Sequence, residues 1–253
     1  MKITFLGTGT SQGVPVIACP CKVCRSLDER DKRLRSSVKI ETAGKVIIID
    51  TGPDFRHQML RTNTKQLSAI LFTHEHKDHI AGLDDIRAFN YVLGKKIDVY
   101  ATPRVQHALE REFFYIFEEE KYPGIPELNI HTIGEEPFSI DGLEIIPIEA
   151  MHYKLPVLGF RIKNFTYITD ANYIPPESKD KISNSEILVL NALRNEKHIS
   201  HFSLKEAIEL MFELNPLQGY FTHISHQLGL HEEVSAGLPT GMALAHDGLT
   251  IEL

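Results

Sequence analysis

The chain has 253 residues, 42% of them hydrophobic and 24% charged, which suits one globular domain over 1–253 and excludes a disordered or collagen-like chain. A net charge of -7 argues against a general nucleic-acid binder but leaves room for a small phosphate ester held by a few local cations. No apolar run reaches bilayer length and "MKITFLGTGTSQG" turns polar and glycine-rich too early for a signal peptide, so a cytoplasmic location and no membrane partner are expected.

In chain order, "KITFLGTG" reads as an apolar strand running into a glycine turn, and "SSVKIETAGKVIIIDTG" as a hairpin around Ala43-Gly44. "LSAILFTH" has the length and composition of a buried strand and delivers a dense histidine cluster at its C-terminal end. "GLDDIRAFNYVL" has near-helical apolar spacing. "KIDVYAT" is a strand, after which Thr102 and Pro103 start a helix expected to run to about Glu118. The Pro/Gly-rich loop 119–126 is a candidate lid or rim. "LNIHTI" and "GLEIIPIEAMH" are strands, "LGFRIKNFTYITD" a hairpin turning at Asn164, and "EILVLNAL" a strand. "SLKEAIELMFELNP" is a serine-capped helix stopped by Pro216. "QGYFTHISH" is a strand, and "MALAHDGLTIEL" reads as a hairpin around Asp247-Gly248. Strands flanking helical segments in both halves suggest an α/β (α+β) chain whose two sheets pack face to face with helices outside, an αββα sandwich.

Four separate apolar runs end on metal-capable residues: His74, His152, Asp170 and His223. With His76, Asp78 and His79 they offer seven nitrogen or oxygen donors, too many for one tetrahedral zinc and suited to two metals. A strand-end aspartate is ordinarily a turn former, so only the constellation promotes Asp170. Glu75 and Lys77 are expected to be solvated, and His57, His107, His131, His198, His231 and His246 carry no partner signal. The three cysteines all fall in "CPCKVC": Cys19, Cys21 and Cys24 read as a thiolate metal site one ligand short of tetrahedral.

His-x-His-x-Asp-His after a buried strand, with a later His, Asp and His at strand ends, resembles the metallo-β-lactamase superfamily. The resemblance implies that His74, His76 and His152 hold one metal, that Asp78, His79 and His223 hold a second, and that Asp170 bridges them. Asp50 in "VIIIDTG" matches the acid that orients the ligands from behind. The opening "GTGTSQGVP", the cysteine run, "MHYKL", "ITDANYIP" and "FTHISHQ" resemble the PhnP-like phosphodiesterase subgroup. That resemblance implies a structural Zn2+ on Cys19, Cys21, Cys24 and His226, and a catalytic pair of divalent ions, Zn2+ or Mn2+. It implies hydrolysis of small, including cyclic, phosphodiesters, with His201 as general acid and His198 as its substitute. Lys154 is a candidate phosphate contact and Asp78 a member of the catalytic set. "REFFYIFEEEKYPGIP" is aromatic enough to stack a base or form a dimer face, and analogy favours a homodimer.

Rival readings are a tRNA 3′-processing nuclease, a thioesterase-like hydrolase and a catalytically silent metal-binding protein. The nuclease lacks its exosite arm and His-Glu-Ala-Thr motif here, a glyoxalase II-type thioesterase would lack the cysteine site, and a silent protein tends to lose ligands.

Overall fold

Two runs of strand-forming residues each assemble a seven-stranded sheet, and the chain divides into two units around them. The computed structural model describes residues 1–120 and 122–253; Lys121, in the loop read as a rim, lies outside the described residues. The first unit comprises Met1–Leu6, Ser37–Gly134 and Thr250–Leu253, and the second Gly7–Ser36 and Glu135–Leu249. None of the described helices is long and apolar enough to cross a membrane.

The first sheet contains β1 (Lys2–Gly7), β2 (Ser37–Thr42), β3 (Lys45–Ile49), β4 (Ala69–Leu71), β5 (Ile97–Ala101), β6 (Leu128–Thr132) and the C-terminal β14 (Thr250–Glu252). Its order is β14-β1-β2-β3-β4-β5-β6, with β3 to β6 running parallel. Ala43 and Gly44 both take positive φ between paired Thr42 and Lys45, which matches the twist a two-residue hairpin needs. Helices α1 (Phe55–Arg61), α2 (Lys77–Ile80), α3 (Arg87–Leu93), α4 (Pro103–Glu112) and α5 (Phe114–Phe117) belong to this unit. Leu6, Ile48, Ile70 and Val99 from the sheet, with Phe72 just beyond β4, pack with Phe55, Met59, Leu83, Phe89 and Leu109 in one apolar cluster. The helix expected to reach Glu118 instead breaks at Phe113, whose φ of -124° and ψ of 41° turn its ring into the core. The run Phe113-Phe114-Tyr115 favours that break, because aromatic rings lose χ1 freedom against a preceding helical turn.

The second sheet contains β7 (Phe138–Ile140), β8 (Leu143–His152), β9 (Leu155–Ile162), β10 (Phe165–Tyr167), β11 (Ile187–Asn191), β12 (Gln218–Thr222) and β13 (Met242–Leu244). Its order is β13-β12-β11-β10-β9-β8-β7, parallel from β10 to β13 and antiparallel from β7 to β10. The unit's helices are α6 (Pro176–Ile182), α7 (Leu204–Leu214) and α8 (His231–Ser235). Ser203 and Glu206 form a reciprocal capping box at the start of α7, and Asn215 ends the helix in the left-handed region just before Pro216. The cap stabilises the helix by about 1 kcal/mol.

A second expected element is also corrected. The segment 242–253 is no hairpin: β13 pairs with β12, whereas β14 pairs antiparallel with β1. Asp247, the apparent hairpin residue, instead accepts the Thr8 amide (2.9 Å), the Thr8 hydroxyl (2.8 Å) and the Leu34 amide (2.9 Å). The Asp-Gly pair therefore tethers the N-terminal loop instead of closing a two-strand turn.

Candidate metal centres

In the first unit the histidine cluster is carried by the loop after β4 and the short helix α2. Thr73 and His74 are buried, His76 is exposed at the N-cap of α2, and Asp78 and His79 lie in its first turn. Behind them stands Asp50, completely buried and in the left-handed region with φ 63°. It takes the Nδ1–H of His79 (2.7 Å), the Thr73 amide (2.9 Å) and the Thr73 hydroxyl (2.8 Å). The Thr73 oxygen in turn lies 3.0 Å from His74 Nδ1, so one carboxylate orients two imidazoles through their Nδ1 sides. That leaves Nε2 as the basic nitrogen of each ring. Burial pushes the Asp50 carboxyl upward, against the pull of His79 and Thr73.

His74 Nε2 lies 3.0 Å from His76 Nδ1, and His79 Nε2 lies 3.1 Å from Asp78 Oδ2. Two nitrogens bound tetrahedrally to one zinc would stand about 3.3 Å apart, so the observed spacing fits shared metal ligation. Glu75 and Lys77 are not simply solvated: Glu75 pairs with Arg104 and Lys77 with Glu112, both from α4, which brackets the metal loop. Gly82 closes the motif. Its amide donates to Thr51 O (2.8 Å), and a Cβ there would collide with the Gly52 carbonyl.

In the second unit, His152 ends β8, Asp170 lies three residues beyond β10, and His223 follows β12 directly. His152 Nδ1–H donates to Ser200 O (2.7 Å), again leaving Nε2 basic. His223 Nδ1 stands 3.0 Å from Asp170 Oδ2 and 3.2 Å from Ser36 Oγ. Asp170 and His223 hold φ of 53° and 54°, left-handed values that a non-glycine residue adopts at a cost of about 1–3 kcal/mol. His201, nearly buried, places Nε2 3.1 Å from Asp170 Oδ1 and stacks on His223 with ring centroids 5.0 Å apart. His152, Asp170 and His201 offer donor atoms within 4.8 Å of one another. His198 Nδ1 takes the Ser200 amide (3.4 Å) and lies 3.1 Å from His201 Nδ1; burial, His201 and Arg194 push its pKa down. Lys154 is exposed, its Nζ 5.3 Å from the Tyr153 ring centroid.

The cysteine set assembles within the same unit. Cys19, Cys21, Cys24 and His226 offer donor atoms within 4.8 Å of one another, with His226 Nδ1 at 3.4 Å from Cys19 Sγ and 3.3 Å from Cys21 Sγ. A tetrahedral zinc with Zn–S about 2.3 Å and Zn–N about 2.0 Å would hold sulfur and nitrogen about 3.5 Å apart, so these donors fit a closed site. The Cys24 amide and His226 draw the Cys21 thiol down to about 6, while burial raises that of Cys24 to about 11.

Two groups had no signal in the sequence. Arg33, buried on all sides, donates to Thr8 Oγ1 (2.8 Å), Ala245 O (2.6 Å) and His231 Nδ1 (3.1 Å). His131, on β6, donates Nε2–H to Asp98 (2.9 Å) and stacks on Tyr100.

Two seven-stranded sheets, each mixing parallel and antiparallel strands, and histidine-rich donor sets at their strand ends are the features of a metallo-hydrolase fold. The chain belongs to the β-lactamase superfamily: the model described as "Beta-lactamase superfamily domain" matches residues 45–224. Within it the chain is PhnP-like. The solved "New Diphosphatase from the PhnP Family" is 40% identical with a TM-score of 0.93, covering 100% of this chain and 97% of that one. The Zn2+-bound PqqB of Methylobacterium extorquens, 18% identical with a TM-score of 0.79 and full coverage of both chains, shares the fold. Among curated proteins, an Octanoyltransferase of Porphyromonas gingivalis is 38% identical over 98% of this chain and 51% of its own length. A Ribonuclease Z of Nostoc punctiforme is 30% identical over 64% of this chain and 46% of its own. The chain thus spans about half the length of the curated relatives it matches.

Proposed function

We propose that the chain is a metal-dependent hydrolase of small phosphodiesters or diphosphates. The observation that carries this reading is the end-to-end likeness to a PhnP-family diphosphatase, with every donor of the superfamily motif retained. On this reading His74, His76 and His152 would hold one divalent ion and Asp78, His79 and His223 a second, with Asp170 as a further donor. Bound there, divalent metals supply Lewis acidity, lower the pKa of water and neutralise phosphate charge.

The chain's own residues do the rest. Asp50 and Thr73 keep the His74 and His79 rings turned so that Nε2 faces outward from their anchors. His201 carries the proton for the departing oxygen at Nε2. His198, whose pKa burial lowers, accepts the Ser200 amide at Nδ1 and stands 3.1 Å from His201 Nδ1, where it turns the His201 ring. Lys154 meets phosphate as a point charge at the rim. Cys19, Cys21, Cys24 and His226 hold a separate structural Zn2+, which fastens the segment bearing His223.

The test is a substrate panel: bis(p-nitrophenyl) phosphate, 2′,3′-cyclic nucleotides, a dinucleoside diphosphate, precursor tRNA and an octanoyl thioester, with and without added Zn2+ or Mn2+. Metal content is read in parallel. Turnover of the diesters or diphosphates with about three metals per chain supports the reading. A second reading is a thioesterase-like hydrolase, and the octanoyl group of its test substrate follows the relative named Octanoyltransferase, of which the chain spans 51%. Turnover of the thioester alone would replace the phosphodiesterase reading, and turnover of precursor tRNA alone would favour the nuclease. Light scattering of the same sample tests the expected homodimer.

A further inference from the structure

The turn that follows His152 breaks a local rule. His152 pairs with Leu155, so Tyr153 and Lys154 form a two-residue hairpin loop between β8 and β9. Tyr153 stands at the first central position with φ 59°. A two-residue turn with positive φ there ordinarily takes glycine. A large aromatic in the left-handed region is an outlier of the kind that collects at functional sites. The surroundings hold it in place: the Tyr153 amide donates to Asn172 Oδ1 (2.6 Å). Asn172 itself donates its amide to Met151 O (2.8 Å), and the Met151 amide donates to Tyr173 O (2.8 Å).

That bridge between Met151 and Tyr173 has a second consequence. It joins the end of β8, at the residue before His152, to the segment just after Asp170, and the two tyrosines beside it are about half exposed, Tyr153 at 50% and Tyr173 at 52%. Lys154 adds a cation over one face of the Tyr153 ring. Burial does not explain these tyrosines, and turn chemistry opposes the first of them.

We propose that Tyr153 and Tyr173, pinned by Asn172 and flanked by Lys154, form an aromatic platform that stacks the base of a nucleotide substrate. Exposed rings beside a cation are what binds a planar base carrying a phosphate. This rests on the hydrolase reading and narrows its substrates to phosphodiesters or diphosphates of nucleosides.

The test compares 2′,3′-cyclic AMP with a cyclic phosphate of glycerol, which has no base. In Tyr153→Gly, and separately in Tyr173→Leu, the ratio of kcat/KM for the nucleotide to that for the glycerol ester should fall about tenfold. Tyr153→Phe, which keeps the ring, should preserve the ratio. Because Tyr153→Gly suits the turn, its thermal midpoint should hold or rise, which separates lost stacking from lost structure. The chain has no tryptophan, so its intrinsic emission is tyrosine emission. Titration with adenosine 5′-monophosphate should quench that emission in the wild type and less in Tyr153→Gly. An unchanged ratio with an unchanged quench overturns the platform while leaving the hydrolase in place. A wild type that cleaves neither ester, yet is quenched in a Tyr153-dependent way, removes the hydrolase reading and leaves the platform standing.

Discussion

Asp50 takes the Nδ1–H of His79 at 2.7 Å, with both residues fully buried. Through Thr73 the same carboxylate also reaches His74, so the two anchored histidines of the motif share one fixed point. Asp50→Ala would leave the His79 ring N–H and the Thr73 amide buried without that acceptor. The expected loss is about 3 kcal/mol of stability and a 10- to 100-fold weaker hold on metal. Urea unfolding together with metal titration checks it, and a variant that keeps both properties would remove Asp50 from this role.

The metal loop is also fixed by close backbone approach. Thr51 donates its amide to His79 O and accepts the Gly82 amide, both at 2.8 Å, while the Gly52 carbonyl sits where a Gly82 side chain would begin. Gly82→Ala must push these segments apart, at a cost of about 1–3 kcal/mol. The expected result is a lower denaturation midpoint with reduced metal content, against an Ala substitution at Gly134, which has open space and no left-handed backbone, as the control.

Much of the metal loop was legible in the sequence, because a buried apolar strand followed by His74, His76, Asp78 and His79 is a local pattern. The ends of β8 and β12 were legible for the same reason. The left-handed backbone at Asp50, Asp170 and His223 was not: Asp and His enter that region more often than most residues, but at which position is set by the surrounding fold. Nor was the Arg33–His231 contact, whose partners stand 198 residues apart and meet only through the fold. The C-terminal hairpin was misread because Asp247-Gly248 carries a turn signature, while strand partners depend on where β1 and β12 lie. Helix α1 and strand β7 are too short to leave a periodic signal in the sequence.

The cysteine site makes a separable prediction. Replacing Cys21 removes one of four donors, with Cys19, Cys24 and His226, that are grouped closely enough to hold a metal ion. Cys21→Ser should lower zinc content by about one ion per chain and lower the melting temperature. The hydrolytic donors should keep their metal, because none of them is a cysteine. Metal analysis with calorimetry reads both; unchanged zinc would show that the thiols are not ligands.

His231 gives a pH prediction with a definite sign. Arg33 Nη2 donates to His231 Nδ1, which favours the neutral ring, and burial followed by Arg33 lowers its pKa from 6.5 to about 4. The unfolded chain therefore takes up this proton at a higher pH than the folded one does. Stability is fully present above about pH 6.5 and falls as the pH drops toward 4, by up to about 3 kcal/mol. His231→Asn should flatten that slope in urea melts between pH 7 and 4. An equal slope in wild type and variant would assign the acid sensitivity to other groups.

The general-acid role of His201 is tested by leaving groups. Its Nε2 lies 3.1 Å from Asp170 and its Nδ1 3.1 Å from His198, so the ring is held at both ends. A proton donor matters most when the departing alkoxide is a strong base, and hardly at all for p-nitrophenolate. His201→Ala should therefore slow alkyl diesters by about 10²- to 10⁴-fold and p-nitrophenyl esters far less. Metal content must stay at the wild-type level for that comparison to count, since His201 also lies among the donors near His152 and Asp170. Equal losses on both substrate types with metal retained would make His201 a positioning residue for Asp170, and a loss of metal would make it a ligand.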